Sequence, residues 1–201
     1  MAASAAFIGL AAANQGLGAT GGLTSSIHAN IGFDAITVAL DFWSYTGGAH
    51  GYGAVTCKLV DLRTGSWAEL GPQARALRTE VFVQEQRIPL DIEMDTADET
   101  ALHAVAVNRL GRVVATGRLL PYQPGVAKIG RMAVHHILRG SQLGRQVLEA
   151  LMDAARARGD REVVLHAQRS AEGFYRRLGF AQRGEPFVEA GIDHVEMVKA
   201  L

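Results

Sequence analysis

Apolar residues recur at intervals of three and four in two stretches of the chain, which is the spacing of one face of an amphipathic helix. The first stretch predicts a helix that Pro89 ends. The second predicts a helix that stops at Gly159, and the shorter pattern AEGFYRRLGF predicts a small helix ended by Gly179. The apolar positions are Trp67, Leu70, Ala74, Leu77, Val81 and Phe82 in the first stretch, and Leu143, Val147, Leu148, Leu151, Ala154 and Ala155 in the second.

Apolar and β-branched runs predict strands around these helices. The runs LHAVAVN and RVVATGRLL flank RLGR, which predicts a hairpin. Four further runs have strand character: AVTCKLVDL, AKIGRMAVH, EVVLHA and HVEMVKAL. Because hairpins occur beside helical crossovers, we expect an α/β fold of the α+β type. Its central sheet would be mixed and mostly antiparallel, with helices on both faces.

The composition of the chain changes near residue 55. Before Lys58 the only charged residues are Asp34 and Asp41, and the segment is rich in Gly and Ala. Its apolar run at 5–13 lacks the basic flank of a signal peptide and is shorter than the ~20 residues of a membrane span. We therefore expect residues 1–54 to form a flexible extension and residues 55–201 to form the folded domain.

Charge and cysteine content exclude several classes of protein. The formal net charge is zero, which argues against a general nucleic-acid binder. Cys57 is the only cysteine, so no intrachain disulfide or Cys-based metal site can form. His135 and His136 are adjacent and would not share a helix face, so no metal site is predicted. We expect a cytoplasmic protein without a membrane or nucleic-acid partner.

The stretch HHILRGSQLGRQVLEALM leaves a strand and enters the second helix through two glycines and two arginines. The free N–H groups and partial positive charge of a helix start can hold a phosphate. An ordinary helix entry that contains Gly is the alternative.

Three stretches in order, IGRMAV, LRGSQLGRQVLEALM and AEGFYRRLGF, resemble the GNAT superfamily of acetyl-CoA-dependent N-acetyltransferases. LRTEVFVQEQRIPLDIEMDTADETALHAVAV is similar to the ElaA-like subgroup, so that the resemblance covers about residues 55–201. It implies direct acetyl transfer from acetyl-CoA to a small-molecule or peptide amine, and it leaves a homodimer open. A non-catalytic acyl-CoA-binding module on the same fold is the alternative. Separately, IGFDAITVAL (31–40) resembles a fragment of ABC importer permeases.

The resemblance implies that the loop before the second helix binds the CoA pyrophosphate and that the preceding strand binds the pantetheine arm. The family usually has Gly where this chain has Gln142, and only Gly adopts a positive φ freely, so the loop departs from the family pattern there. The implied cofactor-binding residues are Met132, Ala133, Val134, Arg139, Gly140, Ser141, Gln142, Leu143, Gly144 and Arg145.

Acetyl transfer also needs a base, because an amine of pKa ~10.4 is almost entirely protonated near pH 7. The resemblance implies Tyr175 as the acid that protonates the departing thiolate. Glu85 is the candidate base or amine-binding carboxylate. The alternatives are a core aromatic for Tyr175 and an ion pair with Arg78 or Arg87 for Glu85.

Candidate acceptor-binding residues lie in two other stretches. The acidic run LDIEMDTADET could attract a cationic amine, or it could be a solvated loop. The resemblance to the ElaA-like subgroup implies that Asp95 and Asp98, an Asp-x-x-Asp pattern before His103, contribute to acceptor binding. His166, in VVLHAQ, could transfer protons, because the ordinary pKa of histidine is near 6.5. The alternative is that it is a half-buried structural histidine. Gln168, two positions later, could bind substrate or cap the next turn. The predicted substrate residues are Asp95, Asp98, His103, His166 and Gln168.

Overall fold

The chain divides into two compact units, Met1–Val60 and Asp61–Leu201. Each forms its own sheet. The computed structural model describes residues 23–31, 35–44 and 50–201, and describes side chains from residue 59 onward.

The first unit contains a three-stranded antiparallel sheet in the order β1-β2-β3. The run AVTCKLVDL, predicted as one strand, is divided between the two sheets at Leu59. The apolar run at residues 5–13 lies outside the described residues, and the flexibility of residues 1–54 stays a prediction. The strands are β1 (Leu23–Ile31), β2 (Ala35–Ser44) and β3 (His50–Lys58).

The second unit is built on a seven-stranded sheet in the order β4-β5-β6-β7-β8-β10-β9. β7 and β8 run parallel, whereas β5–β6, β6–β7, β8–β10 and β10–β9 are antiparallel pairs. This confirms the mixed, mostly antiparallel sheet. The strands are β4 (Val60–Gly65), β5 (Leu102–Asn108), β6 (Val113–Gln123), β7 (Val126–Val134), β8 (Glu162–Gln168), β9 (Ala181–Glu189) and β10 (Ile192–Ala200).

Four α-helices accompany this sheet. Ser66 begins the first helix with a capping box, in which the Glu69 carboxylate accepts hydrogen bonds from the Ser66 backbone and hydroxyl. The first predicted helix continues beyond its α-helical part as a π-helical segment, Thr79–Glu85. The helix at Leu143–Arg158 ends, as predicted, at Gly159, whose backbone is left-handed (φ 94°). The helices are α1 (Trp67–Arg78), α2 (Leu90–Glu93), α3 (Leu143–Arg158) and α4 (Glu172–Arg177).

Helices α1 and α3 cover opposite faces of the sheet. Val105 of β5 is fully buried in a cluster with Leu70 and Ala74 of α1. Its neighbour Ala104 pairs with Gly117, and a Cβ at Gly117 would lie only 2.8 Å from Leu151 Cδ1 of α3. Because successive strand residues point to opposite faces, the two helices sandwich the sheet, as the sequence predicts.

The sheet opens between its two parallel strands. β7 pairs with β8 only at Val126–Lys128, after which both strands continue without pairing to each other. On the other edge of β7, Arg131 and Met132 together lie opposite Gly117 of β6, which is a β-bulge that bends the strand. Arg131 takes a positive φ of 53° at this bulge. The gap at this end of the sheet is where a ligand can reach the strand backbone.

Two segments differ from the sequence prediction. β9 was not predicted, because its pattern AQRGEPFVE has little apolar alternation and eight of its nine residues are exposed. The acidic run is not a solvated loop: it forms the short helix α2 and a 3-10 turn, Thr96–Glu99, with Glu93 and Asp98 buried. Among the described residues, no helix is both long enough and apolar enough to cross a membrane.

Candidate active site

A cleft of about 770 Å³ occupies the gap between β7 and β8 and continues over the start of α3. It takes in the bulged end of β7, the loop before α3 and helix α4. All ten residues predicted to bind the cofactor lie on its wall: Met132, Ala133, Val134, Arg139, Gly140, Ser141, Gln142, Leu143, Gly144 and Arg145.

The loop that enters α3 has two left-handed residues. Gly140 has φ 85° and Gln142, the N-cap of α3, has φ 69°. Gln142 therefore adopts the conformation that a glycine would take freely, despite its Cβ. Its side chain makes no capping hydrogen bond, and the first helical hydrogen bond runs from Gln146 N–H to Gln142 O (3.0 Å). The N–H groups of the first helical turn precede that bond and are available to an anion.

Gly144 lies where the first turn of α3 approaches β7 and α4. A Cβ there would lie 3.3 Å from Val134 Cγ2 and 3.6 Å from Phe174 Cζ. A small side chain would need only a slight shift of these neighbours. A larger one would have to project toward the cleft that Gly144 lines.

The backbone of β7 offers a donor at the cleft. His135 N–H donates to Val114 O of β6 (2.9 Å). Because backbone N–H groups alternate between the two edges of a strand, the Val134 N–H points to the edge that faces β8. That edge is unpaired at Val134.

Glu85, predicted as a catalytic carboxylate, is paired with the loop arginine instead of lining the cleft. Both of its carboxylate oxygens accept hydrogen bonds from the Arg139 guanidinium, each at 2.6 Å. These hydrogen bonds lower the pKa of Glu85 and raise that of Arg139. Arg139 Nε also donates to Val134 O (3.3 Å), so that the pair joins the π-helical segment, β7 and the loop. A carboxylate held this way is a poor proton acceptor. Glu85 does form an ion pair, but with Arg139 and not with Arg78 or Arg87.

Tyr175 lies between the cleft and a second pocket. Its ring packs edge-on against Phe174 and Phe180, at centroid distances of 5.0 and 5.8 Å. Burial raises the pKa of the phenol well above its ordinary value of 10.0. The ring belongs to an aromatic core, as the alternative expected, and the same side chain lines both cavities. The role of Tyr175 as an acid stays a prediction.

The second pocket has a volume of about 340 Å³ and lies on the β8–β10 side of the opened sheet. Five residues line both the cleft and this pocket. Two of these five are hydrogen-bonded to each other, because Gln168 Nε2 donates to Gln86 Oε1 at 2.8 Å. A molecule in the cleft and one in this pocket would therefore meet at a common wall. The residues that line both cavities are Gln86, Met132, Gln168, Ala171 and Tyr175.

His166 and a glutamate form a hydrogen-bonded pair in this second pocket. His166 Nδ1 lies 2.8 Å from Glu189 Oε2, and this contact lowers the pKa of Glu189 to about 2. Phe187 packs edge-on against the imidazole at 4.9 Å. Lys128 Nζ lies 3.4 Å from His166 Nε2. With Nδ1–H donating to Glu189, the Nε2 lone pair accepts from Lys128, so an incoming ammonium would have to take the place of Lys128 at that nitrogen.

The other predicted acceptor residues, Asp95, Asp98 and His103, line neither cavity and belong to a largely buried ionic network that borders the smaller pocket through Glu93 and Arg131. Arg78 is 1% exposed and donates to Glu93 Oε1 at 2.6 Å and to Asp98 Oδ1 at 2.8 Å. Burial raises the pKa of Glu93. His103 is also buried; its Nε2 lies 3.0 Å from Asp98 O, and burial lowers its pKa.

Two further arginines complete this network. Arg118 donates to Asp95 and Asp98, and Arg131 donates to Asp95 Oδ2 at 3.0 Å. Arg131 Nε also lies 3.0 Å from Glu93 Oε2. Three arginines therefore face three carboxylates, which explains how Glu93 and Asp98 can be buried without uncompensated negative charge. The pairing leaves Asp95 and Asp98 little charge to offer a cationic substrate.

Several residues of the two cavities were not found from the sequence. Arg177 lines the larger cleft from the end of α4, and Arg131, Glu189 and His194 line the smaller pocket. Glu189 was not predicted as a pocket residue because its strand, β9, was not predicted. Arg177 follows Tyr175 by two positions in the stretch that carried the family resemblance, which was the available signal.

A sheet that opens between two parallel strands, with a helix N-terminus at the opening and a second pocket beside it, defines the fold of acyl-CoA N-acyltransferases. The sequence profile described as "Acetyltransferase (GNAT) domain" matches residues 71–201. The chain belongs to the GNAT acetyltransferase family, which confirms the predicted family and fold. The profile does not extend to residues 31–40, and the resemblance of that segment to a permease fragment is not supported.

Individual relatives agree with this assignment. The Bacillus subtilis protein named "Uncharacterized N-acetyltransferase YjcF" is 33% identical over 124 residues, which are 61% of this chain and 87% of YjcF. A solved acyl-CoA N-acyltransferase from Pseudomonas aeruginosa is 35% identical with a TM-score of 0.62, over 70% of this chain and 99% of that one. Escherichia coli ElaA is 27% identical with a TM-score of 0.63, over 70% and 99% of the two chains.

Proposed function

We propose that this protein transfers an acetyl group from acetyl-CoA directly to the amine of a small molecule or peptide. One observation carries the proposal: a cleft large enough for a nucleotide-linked thioester and a separate smaller pocket share a wall at Met132, Gln168 and Tyr175. Two substrates bound in these cavities would meet there, so no acyl-enzyme is required.

The donor-side residues suit acetyl-CoA, which supplies the activated acetyl group as its thioester. The N–H groups at the start of α3 would hold the pyrophosphate, and the unpaired edge of β7 would hydrogen-bond the pantetheine amides. Arg177 at the rim would supply a further positive charge. The Val134 N–H would stabilise the negative charge that develops on the thioester carbonyl oxygen.

On the acceptor side, His166 is the proposed base. Its Nε2 would take one proton from the incoming ammonium, leaving a nitrogen lone pair for attack on the carbonyl carbon. Glu189 would hold the ring orientation and stabilise the imidazolium. Because Asp95 and Asp98 are paired with arginines, we assign the acceptor site to the second pocket and not to the acidic run.

Tyr175 is the proposed hydrogen-bond donor to the departing sulfur. Its raised pKa keeps the phenol protonated at neutral pH. The same raised pKa makes full proton transfer to a thiolate of pKa ~8.5 unfavourable, so the phenol stabilises the thiolate by a hydrogen bond. In balance, the C–N bond forms, the C–S bond breaks, and the second amine proton ends on the CoA thiol.

The first test is isothermal titration of acetyl-CoA into the full chain and two variants, Gly144→Asp and Gly144→Asn. The two substitutions are nearly equal in size, but only Asp adds a negative charge beside the phosphate site. We expect micromolar binding by the natural protein, a weakening of at least about tenfold in Gly144→Asn, and a further loss in Gly144→Asp, since each 1.4 kcal/mol is tenfold in affinity. Equal affinities for all three proteins would overturn the assignment of this loop.

The second test is turnover. A panel of primary amines is incubated with acetyl-CoA, and release of the CoA thiol is measured for the natural protein and for Tyr175→Phe. Turnover of at least one amine that Tyr175→Phe slows supports the enzyme. Tight acetyl-CoA binding without acetylation of any amine would favour the non-catalytic module on the same fold.

A further inference from the structure

Glu80, His135 and His136 form a cluster outside both cavities. Glu80 Oε1 lies 3.3 Å from His135 Nε2 and 3.6 Å from His136 Nδ1. The two imidazoles are stacked, with centroids 4.6 Å apart and planes 24° from parallel. Within the described residues this is the one group of three such side chains whose ligand atoms lie within 4.8 Å of one another.

The backbone explains why two adjacent histidines face the same way. Neither lies in an α-helix: His135 follows the last residue of β7 with φ −50° and ψ 133°, and His136 begins a 3-10 turn, His136–Leu138. The change of backbone conformation between them brings both rings to one side. His135 and His136 are therefore not subject to the helical spacing that would keep adjacent side chains on different faces.

We propose that Glu80, His135 and His136 form a binding site for a divalent transition-metal ion, of which Zn²⁺ is the best match. Two imidazole nitrogens and one carboxylate oxygen are ligands that Zn²⁺ prefers, at 2.0–2.2 Å from the metal. Ligand atoms at those distances around a tetrahedral ion are about 3.3–3.4 Å apart. The observed separations of 3.3 and 3.6 Å from the carboxylate oxygen fit this spacing with a shift of a few tenths of an ångström. The two imidazole nitrogens lie within 4.8 Å of each other and would close on the ion as it binds.

The ligands are held in place by the surrounding fold. Glu80 lies in the π-helical segment directly before the buried residues Val81 and Phe82. His135 is fixed through its N–H, which donates to Val114 O. The three side chains are partly exposed, at 39%, 29% and 58%, so an ion could reach them and keep water as its fourth ligand.

The position of the cluster suggests what an ion would do. The π-helical segment carries Glu80 near its start and Glu85 at its end, and Glu85 is already joined to Arg139 of the cofactor loop. A metal at Glu80 and the two histidines would add a second link between this segment and the residues that lead into the loop. It would stabilise the folded state in proportion to its affinity, because it binds only when the segments are together.

The test is titration of Zn²⁺ into the metal-free full chain, with Co²⁺ as a coloured substitute whose visible spectrum reports nitrogen coordination. We expect one ion per chain with the natural protein and a rise in the melting temperature. Glu80→Gln, His135→Gln and His136→Gln should each weaken binding, by about a hundredfold, since even loss of a residue supporting a metal ligand costs 10–100-fold. His194→Gln, which removes an imidazole elsewhere, should bind like the natural protein.

Two results would overturn the site. One is the absence of Zn²⁺ binding by the folded natural protein. The other is unchanged affinity in all three ligand variants, which would locate the ion elsewhere. Acetyl-CoA titration of the metal-free protein keeps this question separate, because the proposed transferase does not depend on the ion.

Discussion

His166 Nδ1 lies 2.8 Å from Glu189 Oε2, a contact between residues 23 positions apart that the antiparallel pairing of β8, β10 and β9 brings together. The contact lowers the pKa of Glu189 to about 2, so that the glutamate stays ionised at any pH where the enzyme would work. An ionised carboxylate on one imidazole nitrogen favours a proton there and leaves the other nitrogen as an acceptor. The second pocket therefore contains an imidazole held in one orientation, as the proposed base requires.

Replacing this pair should slow acetyl transfer without affecting acetyl-CoA binding. We expect His166→Gln to lower kcat/KM for an amine by about 10²–10⁴-fold, the range attributed to a general base. Glu189→Gln should lower kcat by at least about tenfold, because the ring loses its orienting partner. Steady-state kinetics, together with acetyl-CoA titration, make the comparison.

Glu185→Gln on the exposed part of β9 is the matched control and should behave like the natural protein. Partial recovery of His166→Gly by added imidazole would distinguish a missing base from a damaged pocket. Unaltered kinetics in His166→Gln would contradict the assignment.

Tyr175→Phe should retain the fold, because the ring contacts with Phe174 and Phe180 need no hydroxyl. We expect kcat to fall by about 10- to 100-fold while the affinity for acetyl-CoA stays the same, since only the hydrogen bond to the departing sulfur is lost. Because burial raises the pKa of this phenol, the natural protein should show no loss of activity from tyrosine ionisation up to about pH 10. A descending limb near pH 8.5 that disappears in Tyr175→Phe would refute this view of its environment.

Asp98→Asn should strongly destabilise the second unit. Asp98 Oδ1 accepts from Arg78 Nη1 and from Arg118 Nη1, each at 2.8 Å, and removing its charge leaves two buried guanidinium groups undercompensated. We expect a loss of about 3 kcal/mol in the free energy of unfolding. Urea unfolding followed by Trp67 fluorescence in a Trp43→Phe background is the measurement, because the Trp67 ring lies 5.3 Å from the Arg78 guanidinium. Asp91→Asn, at an exposed position of the same acidic run, should change stability by less than about 0.5 kcal/mol.

Asp95 should contribute to the acid sensitivity of folding. Burial opposes its ionisation, yet hydrogen bonds from Arg118 and the charges of Arg118 and Arg131 outweigh burial and hold the pKa of Asp95 below its ordinary value of 3.8. A carboxylate with a lowered folded-state pKa stabilises the fold fully above its unfolded value, and that stabilisation is lost as the pH falls through the folded value. Asp95→Asn should therefore be less stable than the natural protein by a constant amount between pH 5 and 7, and the difference should shrink below about pH 4. A difference that is the same at pH 3 and pH 7 would mean that the charge of Asp95 is not what matters.

Gln142→Gly should stabilise the protein, because Gln142 has a φ of 69° that costs a side-chain-bearing residue about 1–2 kcal/mol. After the greater unfolded-state entropy of Gly is subtracted, we expect a gain of about 1 kcal/mol with acetyl-CoA affinity retained. Thermal and urea unfolding measure it. Gln146→Gly, inside α3, is the opposite control and should lose about 1 kcal/mol. Destabilisation by Gln142→Gly would show that the side chain contributes contacts that outweigh the backbone strain.

The amphipathic helices and the loop that enters α3 could be predicted from the sequence, because their signals are local. Apolar residues at spacings of three and four indicate the buried faces of α1 and α3, and Gly159 marks the end of α3. The order of strand, loop and helix carried the family resemblance, and all ten predicted cofactor residues lie on one cleft. These residues are close in the chain, so their geometry follows from a few backbone angles.

The tertiary structure decided which residues that are distant in the sequence interact with each other. Glu85 is paired with Arg139 across 54 positions, Asp98 with Arg118 across 20, and His166 with Glu189 on a strand that its polar sequence concealed. A carboxylate in a sequence has the same chemistry whether it will be a base, an ion-pair partner or a solvated group. Sheet register and burial select among these roles, because they determine which opposite charge lies within hydrogen-bonding distance and how much water remains.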